Sequence, residues 1–581
     1  MRNFSLLLVF VMLVGLVLTG CAPTEAPATA VPPTAAAAEA VEPTAEAAEP
    51  TEEPPPPEEP AAEGGTVILG LQGDPERMVS NIWPMASAIT IHDLLYSSLV
   101  KANAEMIFEP DVAESWEYSD DGRTITFKLR DDVMFHDGDP LTANDVAFTY
   151  NMMAKPDYNG GQDAYVEWIE GVEDSREGNT EGISGIKVID DYTISFTSKE
   201  PYAPAITYLD MGILPEHILK DVPIPELDVH EFNYSPVASG PFKLTTYEPD
   251  RQVVLEANDD YYLGRPTIDK VIFRIASYEA LLNAWLKQEI DAVPVAIADL
   301  ESVEDTDFGS TYEYPSERPT YLGINNKSAK FSDPRVRQAV SLGLDRQEIV
   351  DVILDGRGRP ISQTHPPHMW AYNNDIPVTE QDLEAAGALL DEAGWTLNAD
   401  TGIREKDGEP FEVELWYVTD REAYQPDNAA MIQSQLQKLG LEVSLRAWDS
   451  PSLWPTVLPR DSEADPDGYD FMIASISITS GDPDWYQTYL GSWALPPNGI
   501  NYFLYEDEQM DQMLKEQAQL MEFEDRKAYW YDELWPYMLE EMPIIPELAP
   551  LTYFAVNNRF QGFQPGSNSW GNNELNWTVE K

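Results

Sequence analysis

The stretch EPDVAESWEYSDDGRTITFKLRDDVMFHDGDPLTANDVAFTYNMM, residues 109–153, decides much of the fold of this 581-residue chain. Asp121-Gly122 lies between two apolar segments, and this dipeptide is typical of a β-hairpin turn. In the segment 124–129, apolar and polar residues alternate, which gives a strand one apolar face. The stretch therefore predicts an antiparallel hairpin that packs one face on a core.

The second part of the stretch places one histidine and three aspartates close together: His136, Asp137, Asp139 and Asp145. Such a group could be a metal site or an acid/base cluster. Thr142, however, suits a helix N-cap, and Asp145 three residues later completes a capping box. The segment just before it, Asp137-Gly138-Asp139-Pro140, has the composition of a turn. We therefore predict that the group ends a strand and starts a helix, and we favour this structural role over metal binding or catalysis.

Outward from this stretch, further strands are predicted in the first half of the chain. Residues 185–201 repeat the hairpin pattern, with Asp190-Asp191 at the turn, and 240–258 and 268–277 add more alternating segments. Residues 64–71 read GGTVILGL and predict an opening strand.

Helices dominate after Ser332. Residues 333–354 predict one helix with Pro334 near its start and a periodic apolar face. Two further helices are predicted to end at Gly394 and Gly440, each at a C′ position that favours glycine. A strand, LEVSLRAW, follows the second of them, so the pattern is mixed α/β.

The length and composition of the chain limit its domain organisation and its possible partners. Single hydrophobic cores stop growing near roughly 250–300 residues, so two or more domains are expected. The formal net charge is −66, and phosphate binding requires a basic surface, so nucleic acid is excluded as a partner. With a single cysteine, no intrachain disulfide is possible.

The N-terminus predicts export. An apolar run from Leu6 to Leu18 matches a signal-peptide core, and Leu18-Thr19-Gly20-Cys21 resembles a bacterial lipobox in which Cys21 is lipidated. An uncleaved anchor helix is the alternative. Residues 22–63 hold eleven prolines and ten glutamates without Lys or Arg, and they predict a disordered tether. Lipid, tether and a large folded part together predict a location outside the cell.

Motifs for catalysis are missing from the sequence. There is no G-x-S-x-G and no H-E-x-x-H. His365 and His368 stand close, but two prolines between them forbid the helix that a metal-ligand pair would use. We predict no enzyme activity, no cofactor and no metal site. A secreted metal-dependent or carboxylate-pair hydrolase centred on His136 remains the alternative from a different class.

Several segments together resemble the peptide/nickel class of solute-binding proteins of ABC transporters, bacterial extracellular family 5. They are the opening stretch and the segments ASGPFKLTTYEPDRQVVLEANDDYYLGRPTIDKVIFRI, YLGINNKSAKFSDPRVRQAVSLGLDRQEIV, AGALLDEAGW, MIQSQLQKLGLEVSL and YDFMIASISITSGDPDW. These segments follow the family's order through nearly all of 64–550.

The resemblance implies an α/β fold: a two-lobed periplasmic-binding-protein-like fold of type II, peptide-binding cluster, with an extra β-rich subdomain. To the predicted signal peptide (1–20) and the lipidated Cys21 with its tether (21–63), the resemblance adds a discontinuous lobe I, an insert and lobe II. Lobe I comprises 64–95, 200–315 and 545–581, the insert 96–199, and lobe II 316–544. The connecting strands are expected near 319–321 and 543–546, so that the lobes close on the solute as on a hinge.

The resemblance also implies a cleft that binds a small-molecule solute, either a peptide or an oligosaccharide. Peptide-specialised members place an aspartate three residues before an Asp-Pro or Glu-Pro pair. Here Thr479 stands at that place before Asp482-Pro483, which keeps an oligosaccharide or a metal chelate open as cargo. Tryptophans with nearby carboxylates and amides suit either solute. The expected ligand-binding residues are Trp83, Ser87, Trp416, Asp482, Asp484, Trp485, Tyr486, Trp493, Asn501 and Tyr502.

The expected partners are the membrane subunits of an ABC permease and, through the lipid, the outer face of the cytoplasmic membrane in the periplasm. We expect a monomer. A sensor that reports the bound solute without importing it is a further possibility that the sequence does not separate from import.

Overall fold

The computed structural model describes residues 64–580, apart from 83, 104–105, 459–467, 479–480, 498, 567–569 and 572. The predicted signal peptide, Cys21 and the tether lie outside the described residues, as do Trp83 and Thr479. Within the described part of the chain, no helix is long and apolar enough to cross a membrane.

The strands alternate with helices along the chain. The strands are β1 (Thr66–Leu71), β2 (Val100–Ala102), β3 (Phe108–Pro110), β4 (Ala113–Tyr118), β5 (Thr124–Leu129), β6 (Ile186–Asp190), β7 (Thr193–Thr197), β8 (Phe242–Glu248), β9 (Gln252–Ala257), β10 (Lys270–Ile275), β11 (Ala292–Val295), β12 (Gly309–Pro315), β13 (Thr320–Ile324), β14 (Gly358–Pro360), β15 (Thr396–Leu397), β16 (Arg404–Lys406), β17 (Glu409–Pro410), β18 (Glu412–Val418), β19 (Glu442–Trp448), β20 (Phe471–Ser475), β21 (Ile544–Asn557), β22 (Phe560–Gln561) and β23 (Thr578–Val579).

The helices range from one turn to four turns. They are α1 (Ala86–Leu95), α2 (Ala143–Met152), α3 (Val172–Arg176), α4 (Glu216–Leu219), α5 (Ile224–Leu227), α6 (Tyr278–Leu286), α7 (Leu300–Glu304), α8 (Pro334–Leu342), α9 (Arg346–Ile353), α10 (Leu383–Glu392), α11 (Gln425–Lys438), α12 (Ser450–Val457), α13 (Tyr486–Leu490), α14 (Glu508–Gln519), α15 (Phe523–Tyr529) and α16 (Trp535–Glu541).

One large mixed sheet runs through the molecule in the order β19-β18-β20-β13-β21-β11-β1-β10-β9-β8, with β12 and β14 also paired to β21. Strand β21 is long enough to pair with β13 near its start and with β11 and β12 near its end. One core packs around Val67 and Phe273, and another around Leu322 and Leu415. The sheet therefore connects two hydrophobic cores through β13 and β21, where the hinge is predicted; the lobe boundaries remain predictions.

A separate four-stranded sheet has the order β4-β5-β7-β6. Its two hairpins confirm the turns predicted at Asp121-Gly122 and Asp190-Asp191, and both are antiparallel. Gly122 has φ +66°, the left-handed conformation that this turn requires and that glycine adopts without strain. The inward faces, including Phe127 and Phe196, form a third core with Tyr150 of α2.

The capping box predicted at the start of α2 is confirmed. The Thr142 side chain accepts from the Asn144 N–H, and Asp145 Oδ2 accepts from the Thr142 N–H at 2.9 Å. His136 Nδ1 accepts from the Ala238 N–H at 3.4 Å, and its Nε2 lies 3.1 Å from the Gly240 carbonyl oxygen. His136 and Asp145 of this group therefore fix backbone, as predicted, while the Asp137 and Asp139 carboxylates lie 3.0 Å and 3.5 Å from His217 Nε2.

The helix predicted over 333–354 is two helices, α8 and α9, so that prediction was wrong. The chain breaks after Leu342, and Asp345 caps α9 by accepting from the Glu348 N–H at 2.9 Å. An N-cap aspartate needs non-helical backbone, so it starts a new helix inside an otherwise periodic segment. The helix ends predicted at Gly394 and Gly440 are confirmed, with φ +91° and +89° respectively.

Candidate ligand-binding site

A cavity of about 420 Å³ lies between α1, β2 and the segment that follows the four-stranded sheet. Its wall is formed by residues from distant parts of the chain, among them Ile89 and Asp93 of α1, Lys101 of β2, and Asp210. The strand end at Tyr314 and Glu317 closes one side of it. Both apolar and polar groups therefore face one concave space, which is the usual composition of a small-molecule site.

Carboxylates dominate the charged groups of this cavity. Asp111 accepts a hydrogen bond from the Tyr262 hydroxyl, and its other oxygen accepts from the Ser98 N–H at 2.9 Å. The Lys101 ammonium binds Glu574 Oε1 at 3.2 Å. The one cation of the cavity wall is thus already paired with a wall carboxylate among the described residues, so the wall keeps a net negative charge.

Asp93 and Asp210 form a second acidic position. Burial raises the pKa of Asp210 to about 7, and the charge of Asp93 adds to the rise. Asp210 in turn raises the pKa of the Tyr165 phenol well above its ordinary value. His92, also in the wall, is neutral near pH 7 because burial lowers its pKa to about 4.

Met106 and Glu317 connect the cavity with the segment 476–486. Glu317 Oε1 accepts from the Ser477 hydroxyl at 2.6 Å, and its carbonyl accepts from the Ile478 N–H. Met106 packs tightly on Gly481: a Cβ at Gly481 would lie 2.2 Å from the Met106 Cβ. Gly481 also has φ +65°, so a side chain there is excluded by both space and backbone. The cavity therefore ends against the loop in which the sequence predicts ligand contacts.

Beyond Met106 lies an aromatic cluster that contains three of the predicted site residues. Trp416, Tyr486 and Tyr502 are buried in it together with Tyr321. The hydroxyls of Tyr502 and Tyr321 are 3.0 Å apart, and the Trp416 indole N–H donates to Glu414. Their polar atoms are thus engaged within the protein, and in this arrangement the three rings support the wall rather than face the cavity.

Asp482 and Asp484, also predicted as ligand contacts, are both buried and partnered. Asp482 forms a two-pronged ion pair with Arg526. Asp484 accepts from the Tyr202 hydroxyl and from the side-chain amides of Gln487 and Gln517. Burial and the charge of Asp482 raise the pKa of Asp484. This network holds the loop against the segment after the four-stranded sheet.

The remaining predicted residues are spread more widely. Trp485 stacks on Tyr486 with ring centroids 3.8 Å apart, and its indole N–H has no hydrogen-bond partner in the described structure. Trp493 is 42% exposed beneath the Lys515 ammonium. Asn501 donates to two backbone carbonyls. Ser87 lies on α1 and its hydroxyl donates to the Asp74 carbonyl, and neighbouring residues of α1 line the cavity. As contacts of a ligand, all of these residues remain predictions.

Sequence reasoning missed the charged residues of the cavity. Asp93, Lys101, Asp210 and Glu574 come from four separate segments, and no spacing or motif connects them. Each stands beside apolar residues in the sequence, which was a signal that it is not simply a solvated surface charge. In the part of the chain that the structure describes, no three His, Cys, Asp or Glu side chains are grouped as a metal site.

Comparison with known proteins supplies the family. The sequence profile of the bacterial extracellular solute-binding proteins, family 5 (middle region), matches residues 108–498. This chain belongs to that family. The oligopeptide-binding protein AppA of Bacillus subtilis is 30% identical over 516 residues, which cover 86% of this chain and 89% of the relative. The dipeptide-binding protein of Escherichia coli is 27% identical over 461 residues, covering 76% and 81%.

A solved structure extends the likeness to the fold of this family 5 protein. The oligopeptide-binding protein AppA from Bacillus subtilis, in complex with a nonapeptide, matches with a TM-score of 0.68 and 28% identity, over 89% of this chain and 99% of that chain. The predicted fold class is confirmed: a mixed α/β, two-lobed binding-protein fold of type II with an additional β-rich subdomain. The family is one of extracellular solute-binding proteins, so solute binding rather than catalysis is its common activity.

Proposed function

We propose that this protein captures peptides outside the cell and delivers them to the membrane subunits of an ABC importer. The observation that carries the proposal is the 30% identity to an oligopeptide-binding protein along 86% of the chain. The cavity of about 420 Å³ beside the loop 476–486 supports it, since peptide side chains need such a space.

The two lobes would close on the peptide about β13 and β21. Closure buries the solute and replaces its water shell with protein contacts. A dissociation constant near 1 μM corresponds to about −8 kcal/mol, which is tight enough for capture and weak enough for release to a permease. Tyr202 and Asp484 belong to the predicted lobe I and lobe II respectively, so their hydrogen bond is one contact that closure would make.

Cys21 is the proposed point of attachment to the membrane. Two or more acyl chains on it would hold the protein stably at the outer face of the cytoplasmic membrane. Residues 22–63 would then act as a tether of up to about 130 Å when fully extended as polyproline. We propose a monomer, because a single closing cleft needs no second copy.

The alternatives of the sequence analysis receive less support. Asp482, Asp484 and Asn501 are expected contacts for a peptide and for an oligosaccharide alike, and they are engaged within the protein. The preference for a peptide over an oligosaccharide therefore rests on the peptide-binding relatives. A hydrolase centred on His136 would need a free imidazole, whereas both ring nitrogens face the backbone of 238–240. Burial also lowers the pKa of His136 to about 4, far from a general base at neutral pH.

A thermal-shift screen of the purified protein against peptides, oligosaccharides and metal chelates tests the function. A ligand at a hundred times its dissociation constant stabilises the folded state by about 2.7 kcal/mol, which raises the melting temperature measurably. We expect peptides to give this shift. A shift with oligosaccharides or metal chelates but with no peptide of two to nine residues would contradict the proposal.

A further inference from the structure

The cavity carries one carboxylate, Asp210, whose Oδ1 has no hydrogen-bond partner among the described residues. We propose that it selects peptides with a positively charged side chain, lysine or arginine, and that Asp210 receives this charge with Asp93 as the second carboxylate. The inference deepens the proposed peptide binding and rests on it.

The other charged groups of the wall are satisfied within the protein. Lys101 is bound to Glu574, Asp111 to Tyr262 and Ser98, and Glu317 to Ser477. Asp210 differs from them, because its Oδ1 has no hydrogen-bond partner and no Lys, Arg or His nitrogen of the described chain forms an ion pair with it.

An ionised carboxylate that is buried without a partner destabilises the ligand-free protein. A carboxylate removed from water without a partner loses several kcal/mol of hydration, so it takes up a proton instead. The pKa of about 7 for Asp210 reflects that cost. A ligand ammonium or guanidinium would remove it, since an opposite charge within about 4–6 Å favours the ionised carboxylate. A neutral ligand side chain in the same place would leave the lost hydration of the Asp210 carboxylate uncompensated.

The groups around Asp210 all point to a cationic ligand. Asp93 faces it from α1, and the phenols of Tyr165 and Tyr150 face it from the β-rich part, both with pKa values that its charge helps to raise. Lys101 acts on Asp93 and Asp111 from β2, but its ammonium is directed to Glu574. The Tyr165 phenol, which lines the cavity, is neutral at physiological pH and can accept a hydrogen bond from a bound cation as well as donate one.

The experiment is isothermal titration calorimetry on the purified full-length protein with a pentapeptide series. Lysine, arginine, norleucine, glutamine or glutamate is placed at each position in turn of an otherwise alanine peptide. We expect lysine or arginine at one position to bind at least tenfold tighter than norleucine, which has a similar shape without the charge. Titrations in buffers of different ionisation enthalpy should show proton release at pH 7 for these peptides and none for norleucine.

The variants are Asp210→Asn, with Asp120→Asn as the control. Asp120 is exposed in the β4–β5 turn, so its variant removes the same charge away from the cavity. We expect Asp210→Asn to weaken lysine peptides by about ten- to a hundredfold, the range for a lost hydrogen bond to a charged group. Norleucine peptides should bind both variants as they bind the wild type.

The wild-type titrations decide the inference even if Asp210→Asn does not fold. Equal affinity for lysine and norleucine at every position, without proton release, would overturn the inference and leave peptide binding intact. Binding of none of the peptides would contradict the proposed function itself. Tighter binding of lysine peptides that Asp210→Asn leaves unchanged would overturn the assignment of Asp210.

Discussion

Arg526 binds Asp482 with two parallel hydrogen bonds, Nη1 to Oδ2 and Nη2 to Oδ1, each 2.6 Å long. Both side chains are almost fully buried, at 5% and 6% exposure. Arg526 Nε also donates to Gln517, whose amide donates to Asp484. The loop that the sequence marks for ligand contact is therefore held in place from behind by α14 and α15.

Arg526→Ala should destabilise the protein by about 3–5 kcal/mol, because it leaves the Asp482 carboxylate buried without its cation. Urea unfolding followed by tryptophan fluorescence measures this. Arg335→Ala serves as the control, since the Arg335–Asp333 pair is also two-pronged, through Nε and Nη2, but lies at the surface, and its loss should leave the free energy of unfolding nearly unchanged. Equal effects of the two variants would show that burial of the Arg526 pair is not what matters.

Tyr202→Phe should weaken peptide binding about tenfold. The variant removes only the hydroxyl that donates to Asp484, and a hydrogen bond to a charged group contributes about 1.5–3 kcal/mol, here to the closed state. The change should appear as faster dissociation in stopped-flow fluorescence. Tyr278→Phe removes a similar bond, to Asp299 at 2.7 Å, within the predicted lobe I, and should leave the dissociation rate as it is. The same loss in both variants would argue against a contact specific to closure.

Glu547→Gln should change how stability depends on pH. Burial raises the pKa of Glu547 on β21 to about 7, well above its unfolded value of 4.5. Between these pH values the folded state holds a proton that the unfolded state has lost. Stability is therefore highest below the unfolded pKa and falls by about 1.4 kcal/mol per pH unit as pH rises to 7.

Glutamine does not titrate, so the variant should lose this share of the slope and be about 3 kcal/mol more stable than the wild type above pH 7. Urea unfolding between pH 4.5 and 8 measures it. Glu313→Gln on β12, an exposed position, is the control and should keep the wild-type slope. An unchanged slope in Glu547→Gln would mean that the carboxyl is already ionised in the folded protein.

The capping box at the start of α2 gives a graded prediction. Thr142→Ala should cost about 1 kcal/mol, the usual value for a lost N-cap. Asp145→Ala should cost about 2–3 kcal/mol, because Asp145 is buried and its Oδ1 also accepts from the Glu216 N–H at 2.9 Å. Asn144→Ala, an exposed neighbour, should have little effect in the same chemical denaturation. A larger loss of stability for Thr142→Ala than for Asp145→Ala would contradict a structural role for the Asp145 carboxylate.

Local chemistry made much of the fold predictable. Asp121-Gly122 and the Thr142–Asp145 pair specify a turn and a helix start through contacts a few residues apart, and both are present. The break between α8 and α9 was equally local, since Asp345 with Glu348 is itself an N-cap pattern, but the continuous apolar periodicity across Gly343 masked it. Periodicity reports which face is buried, not whether one helix continues.

The site was less predictable because its residues meet only through the tertiary fold. Asp93 and Asp210 are 117 positions apart and act on each other across a cavity. Trp416 and Tyr486, in contrast, have the composition expected of a ligand wall, yet their polar atoms are bound within the protein. Residue type indicates which side chains can contact a solute, whereas cavity shape decides which of them do.

Peptide capture is tested most directly by native mass spectrometry of the protein purified from its own host without denaturation. We expect the folded protein to carry additional mass in discrete steps that fragment into peptides, and an added peptide to displace them at micromolar concentration. Folded protein that carries no peptide, and that takes up none from a mixed library, would contradict the proposed function.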